Sequence, residues 1–273
     1  MSNNQDNLFD ISVYASNKDK FKIPRNSSKS NEYLKKAQDL FEKYPDQAFI
    51  LCNKLIKEDS QNVLAHYQKG IIQDLFYRLT KDAIESFSKV IDIDPDFYPA
   101  WYSRGICKKK LEDFKGALDD YDQSIKKYDS NAISEFSSTN FLYNAFNNRG
   151  NVKSKLKDYT SAIDDFNFAI EQFSEDKKKA EVFSNRAIAY QELGEYKFAL
   201  LDYEKALSIN PGFCNCYVNR GNLLMQLGFY FKARQDFQKV IFLDKNWEFL
   251  QKNIEICSKK IEEKENLLMN KNC

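Results

Sequence analysis

One spacing recurs along this chain: a small residue, a second small residue twelve positions on, and an aromatic four further. It reads Gly105–Ala117–Tyr121, Gly150–Ala162–Phe166, Ala187–Ala199–Tyr203 and Gly221–Ala233–Phe237. Gly70–Ala83–Phe87 is the same with one residue added, and Ala37–Ala48 is a degenerate first copy one residue short. From Gly70 to Gly221 the copies follow at steps of 35, 45, 37 and 34 residues. The clearest copy, Glu181 to Pro211, shows what the spacing means. Its apolar residues recur at three and four positions, so each half buries one helical face. The halves meet at the polar turn Leu193-Gly194-Glu195. Ala187 and Ala199 mark where two helices approach closely, Phe183, Tyr190, Tyr196 and Tyr203 fill the space beside them, and Pro211 ends the unit. A helical hairpin of about thirty residues cannot bury its own apolar face, so each copy needs neighbours and the chain must be an array.

This register resembles the tetratricopeptide repeat, whose period is about 34 residues. Trp101 before Gly105, Tyr190 after Ala187 and the closing Pro95 and Pro211 carry the resemblance, which covers roughly residues 30 to 247. It implies an all-α, right-handed solenoid of about six helical hairpins plus a C-terminal capping helix. The hairpins are expected near residues 30–60, 63–96, 98–130, 141–174, 180–212 and 213–245, with an insertion near 131–139 and a charged loop at Ser174–Lys179. The capping helix is expected over 247–268 and a short tail over 269–273, and residues 1–29 read as a polar, flexible tail. Within that tail Leu8 to Tyr14 is apolar enough to be a docking segment. The Asn-Arg-Gly triplets Asn148-Arg149-Gly150 and Asn219-Arg220-Gly221 are similar to those of protist and ciliate tetratricopeptide proteins, which raises the expectation of a ciliary or axonemal assembly.

Composition narrows the function classes. The 41 basic and 40 acidic residues nearly cancel, which gives no electrostatic reason to propose nucleic acid or an anionic membrane. No run approaches the roughly eighteen apolar residues of a membrane span. The six cysteines fall singly, mostly inside helical patterns, as in a reducing, cytosolic-type compartment. The one histidine, His66, occupies a large-aromatic slot and reads as a packed core residue. No Gly-rich phosphate loop, metal-ligand spacing or nucleophile motif stands out. The expectation is therefore a non-catalytic protein that uses no cofactor, metal or small-molecule substrate.

Two features rise above the scaffold. An arginine precedes the small residue in four copies, and sixteen residues on stands an aspartate just before the aromatic. These positions predict four ion pairs within hairpins: Arg104–Asp120, Arg149–Asp165, Arg186–Asp202 and Arg220–Asp236. The second hairpin lacks both partners, with Lys69 and Ser86 in the corresponding places. An arginine on an apolar helix face must be paired or must snorkel, so these pairs are expected to fix hairpin geometry.

The second feature is asparagine. Asn148, Asn185 and Asn219 share one slot in consecutive copies, and Asn144, Asn147, Asn151, Asn215 and Asn222 cluster on nearby turns. The resemblance implies that first helices line a concave wall, and an asparagine there offers donors and an acceptor to the amides of an extended peptide. The row is similar to the asparagine ladder of the superhelical repeats of O-linked N-acetylglucosamine transferase. The alternative is composition, because the chain is rich in Asn, Lys and Phe throughout. The two-carboxylate clamp of co-chaperone repeats falls on Asn147, Asn151, Asn185, Asn215 and Asn219, where the asparagines are present and every cation is missing. The expected function is a protein–protein scaffold or adaptor within a larger assembly. A soluble, co-chaperone-like adaptor that binds a client tail transiently is the alternative.

Overall fold

The computed structural model describes residues 36–37, 39–130, 139–172 and 176–271. The expected N-terminal tail with Leu8–Tyr14, the insertion over 131–138 and the last two residues lie outside the described residues. Among those described there are twelve α-helices and no strand. The chain divides into two compact units, residues 1–156 and 157–273, and the boundary falls inside the expected fourth hairpin.

In the first unit the α-helices are α1 (Pro45–Glu58), α2 (Val63–Leu75), α3 (Thr80–Ile93), α4 (Tyr98–Lys110), α5 (Phe114–Ser130) and α6 (Thr139–Lys155). Helices α2 and α3 form one hairpin and α4 and α5 the next, with α3 on α4 and α5 on α6 carrying the contact onward. The second unit holds α7 (Tyr159–Gln172), α8 (Asp176–Glu192), α9 (Tyr196–Ile209), α10 (Cys214–Gln226), α11 (Tyr230–Leu243) and α12 (Gln251–Lys271). Here α8 pairs with α9 and α10 with α11, while α12 packs on α11.

The recurring small residues are where second-helix aromatics meet first helices. A Cβ added at Gly70 would lie 2.7 Å from Phe87 Cε1, at Gly105 2.9 Å from Tyr121 Cε1, and at Gly221 2.8 Å from Phe237 Cε1. Those rings are themselves fully buried. At these three positions even the methyl of alanine would force the buried ring to shift, so the approach is fitted to glycine.

The hairpin turns share one backbone solution. Glu112, Gly194 and Gly228 all adopt left-handed φ, at 62°, 79° and 79°. Around Gly194 the Glu195 N–H donates to the Tyr190 carbonyl at 2.9 Å and the Gly194 N–H to Gln191 at 3.0 Å. This double bond pattern is a Schellman motif, which satisfies carbonyls that the end of a helix leaves open. The same pair of bonds closes α4 at Glu112–Asp113 and α10 at Gly228–Phe229.

Two element boundaries differ from expectation. Helix α8 begins at Asp176, so the charged stretch expected as loop up to Lys179 is largely helical. Lysine and alanine are strong helix formers, and an aspartate favours the first turn. At the other end, Lys245–Leu250 forms a 3₁₀ segment before α12, because Trp247 takes a non-helical conformation and Asp244 Oδ1 accepts from the Asn246 N–H at 2.9 Å. The last helix starts at Gln251 and runs on to Lys271, past the expected fraying at Met269.

Candidate interaction faces of the first helices

The arginines sit where consecutive hairpins meet. Arg104 on α4 donates from Nε and Nη2 to the two carboxylate oxygens of Asp120, at 2.9 and 2.7 Å. Arg186 on α8 grips Asp202 the same way at 2.7 and 2.8 Å, and Arg220 on α10 grips Asp236 at 2.8 and 2.7 Å. These are bidentate, charge-assisted pairs, the geometry for which a guanidinium is suited. Burial works against the charge on Arg186 and Arg220, but the hydrogen bonds and charge of their aspartates outweigh it and hold both guanidiniums above the ordinary arginine value. Asp165 lies on α7 in the second unit and is 3% exposed. Arg149 lies on α6 in the first unit, and its Nη1 donates to Asp122 Oδ1 on α5 at 2.7 Å.

That last contact belongs to a second pattern. Arg104 Nη1 donates to Ser88 Oγ at 3.0 Å and Arg186 Nη1 to Asn167 Oδ1 at 2.5 Å. Ser88, Asp122 and Asn167 each follow the packing aromatic of the preceding second helix. An aromatic three residues before each arginine completes its cage: Trp101, Phe146, Phe183 and Tyr217 lie 4.9, 4.8, 5.4 and 5.6 Å from the guanidinium carbons of Arg104, Arg149, Arg186 and Arg220. Each is a cation–π contact. Both features escaped the sequence reading, although the residue after the aromatic and the residue three before the arginine were fixed register positions. In the second hairpin, where the pair is absent, Ser86 Oγ donates to Gln73 Oε1 at 2.6 Å.

The asparagines do not share one environment. Asn148 is 8% exposed: its Nδ2 donates to Tyr102 Oη at 2.9 Å, and its Oδ1 accepts from Lys109 Nζ at 2.6 Å. Ser103, in the same slot one hairpin earlier, is within 3.0 Å of Tyr67 Oη. The slot two residues before the small residue is thus a tie back to the preceding first helix at Ser103 and Asn148. Asn147 is likewise buried. Asn144, Asn151 and Asn185 are half-buried. On α10 the picture changes: Asn215 and Asn222 are exposed and Asn219 is half-buried. Spaced by four and three residues, these three lie along one face of α10.

Residues 180–213 match the family model described as the tetratricopeptide repeat. Those residues are a tetratricopeptide repeat. The chain is 32% identical over 219 residues to human "Tetratricopeptide repeat protein 6", an alignment covering 78% of this chain and 38% of that protein. It is 28% identical over 238 residues to "DnaJ homolog subfamily C member 7 homolog" of Dictyostelium discoideum, covering 83% and 36%. The chain thus spans less than two fifths of the length of either relative. Among solved structures it is similar in fold to PilW, a "widely conserved type IV pilus biogenesis factor", with a TM-score of 0.65 at 17% identity over 79% of this chain and 94% of that one.

Tetratricopeptide repeats are in general protein-interaction scaffolds, and the remaining chemistry of these repeats fits that role. Cys52, Cys107, Cys214, Cys216 and Cys257 are free thiols, and burial pushes Cys52 up to about 12 and Cys216 to about 11. Neutral buried thiols are poor nucleophiles. His66 is half-buried, not enclosed as expected, with Nε2 3.1 Å from the Ser60 carbonyl oxygen. Desolvation lowers its pKa, so it stays neutral and serves the turn before α2. The basic run that ends α4 is spent internally: Lys108 on Asp120 at 2.9 Å, Lys109 on Asn148, and Lys110 on Asp74 at 2.5 Å. No helix of the described residues is long and apolar enough to cross a membrane.

Proposed function

We propose that this protein is a non-catalytic interaction scaffold that holds a peptide or helix of a partner protein along the first helices of its C-terminal repeats, as a fixed subunit of a larger assembly. The observation that carries the reading is the α10 face: Asn215, Asn219 and Asn222 line up there, and none of their side-chain amides is hydrogen-bonded to another described residue. Exposed amides on a rigid helix can accept from and donate to a peptide backbone without selecting its side chains. Asn148 and Asn147 belong to the scaffold in this reading, and Asn185 on α8 continues the face towards the preceding repeat.

The test is affinity purification of the tagged chain from its own cells beside an Asn215→Asp, Asn219→Asp, Asn222→Asp variant that keeps its helical circular dichroism. Loss of a defined partner set from the folded variant supports the face. Recovery of the same partners by both chains overturns it. The DnaJ-type relative keeps a second reading in play, a transient adaptor for acidic client tails. That reading requires binding to a free acidic C-terminal peptide that weakens steeply with salt, although the clamp positions here offer amides and no cations.

A further inference from the structure

Three of the four arginines spend Nη1 on the residue that follows the aromatic of the preceding second helix. By that register the partner of Arg220 is Glu204, one residue after Tyr203. At this junction the clasp is open. Arg220 gives Nε and Nη2 to Asp236, its Nη1 meets no acceptor among the described residues, and Glu204 forms no ion pair with a described cation. A groove of about 340 Å³ occupies the gap, lined by Leu200 and Glu204 of α9, Arg220 and Leu224 of α10, and Phe229 and Lys232 at the start of α11. Large apolar side chains stand exposed on the same two second helices: Phe198 at 53% and Leu201 at 60% on α9, and Phe231 at 56% on α11. Arg220 and Asn219 are adjacent in sequence and so about 100° apart around α10, which makes the groove a different surface from the asparagine face.

The groove's chemistry selects its occupant. Leu200, Leu224 and Phe229 favour an apolar stem. Arg220 Nη1 offers a donor, whereas the Glu204 carboxylate can only accept. A carboxylate ligand would be repelled by Glu204, and an ammonium by Arg220 and Lys232. A primary amide is neutral, accepts from Arg220 and donates to Glu204. We infer that this groove is a second docking site, receiving a glutamine or asparagine side chain carried between apolar residues on a helix of a partner protein.

The experiment uses the full chain and four synthetic helical peptides that differ at one central position, which is Gln, Glu, Lys or Ala between leucines on the same face. Binding is read by fluorescence anisotropy. The Gln peptide is expected to bind at least tenfold more tightly than the other three. Glu204→Asn places at this junction the residue that closes on Arg186 at the previous one; it is expected to fill the clasp, raise the melting temperature and weaken the Gln peptide at least tenfold. Leu200→Asp is expected to abolish binding with the circular dichroism unchanged, and the Asn215/Asn219/Asn222→Asp variant to leave it intact. The proposal is overturned if no peptide binds, if all four bind alike, if Glu204→Asn leaves the affinity unchanged, or if the asparagine variant removes it.

Discussion

Arg186 Nη1 donates to Asn167 Oδ1 at 2.5 Å, while Nε and Nη2 of the same guanidinium hold Asp202. One side chain therefore closes its own hairpin and ties it to the helix before. In a repeat protein, stability is approximately the sum of what each repeat contributes and what each interface contributes. Arg186 acts on both terms at once, and Arg104 repeats the arrangement with Asp120 and Ser88. A planar fork with five donors is needed for this, so lysine is no substitute.

The two arginines are expected to differ in how much they matter. Arg186→Met leaves the buried Asp202 carboxylate without a cation and should cost about 3–5 kcal/mol. Arg104→Met should cost clearly less, because Lys108 Nζ remains 2.9 Å from Asp120 Oδ2. Urea denaturation of both variants checks this; equal losses would mean that Lys108 contributes nothing.

Tyr121 is the packing aromatic of its repeat, and its hydroxyl is buried with no hydrogen-bond partner. Burial raises its pKa well above the ordinary tyrosine value. Phe87, Phe166 and Phe237 fill the same slot without a hydroxyl. Tyr121→Phe should therefore stabilise the protein by about 1 kcal/mol, the cost of an unsatisfied buried polar group. Tyr203→Phe should gain less, since Tyr203 Oη donates to Gln191 Oε1 at 3.3 Å. Thermal melts of the two variants make the comparison.

The turn register offers a substitution in the other direction. Glu112 holds φ at 62°, where a side chain costs about 1–2 kcal/mol, and its counterparts are Gly194 and Gly228. Glycine's greater freedom in the unfolded chain returns roughly 0.5–1 kcal/mol of that. Glu112→Gly should thus raise stability by up to about 1 kcal/mol and Gly194→Ala should lower it, both read by denaturant midpoint. A loss on Glu112→Gly would show that the Glu112 side chain makes a favourable contact.

Alkaline pH should weaken the fold. Desolvation raises Cys52 from 9.0 to about 12 and Cys216 to about 11, so between those values the folded chain keeps thiol protons that the unfolded chain has lost. Stability therefore falls as pH rises above about 9 and stops falling from this source above about 12. Cys52→Ala and Cys216→Ala should flatten the decline. In a Cys273→Ser background at pH 8, the half-buried Cys214 should react with a thiol reagent before the four buried cysteines; faster labelling of Cys52 would contradict its burial.

The repeat was legible because it is written in spacings. A small residue can meet an aromatic sixteen positions later only if two helices are joined by a turn of fixed length, so Gly105–Ala117–Tyr121 already implied the α4–α5 hairpin. Sixteen residues from arginine to aspartate carried the same information, and Arg104, Arg186 and Arg220 lie at 2.7 Å from Asp120, Asp202 and Asp236. The asparagine slot was legible as a position but not as an environment. Asn148 and Asn219 occupy the same place in their helices, yet one is buried between Tyr102 and Lys109 and the other is half-exposed. What fills the space beside that slot is set by the neighbouring helices, which lie many residues away in sequence.

The sequence by itself determined the all-α class, the hairpin register and the arginine–aspartate partners Arg104–Asp120, Arg186–Asp202 and Arg220–Asp236, because contacts separated by one short turn follow from helical period and chain length alone. Only the tertiary structure decided how one hairpin meets the next: the third arm of each arginine, the burial of Asn148, the exposed amides of α10 and the open groove at Glu204 and Arg220. Those contacts depend on the angle and distance at which rigid helices stack. Stacking is set by the packing of many side chains at once, and no single spacing along the chain encodes it.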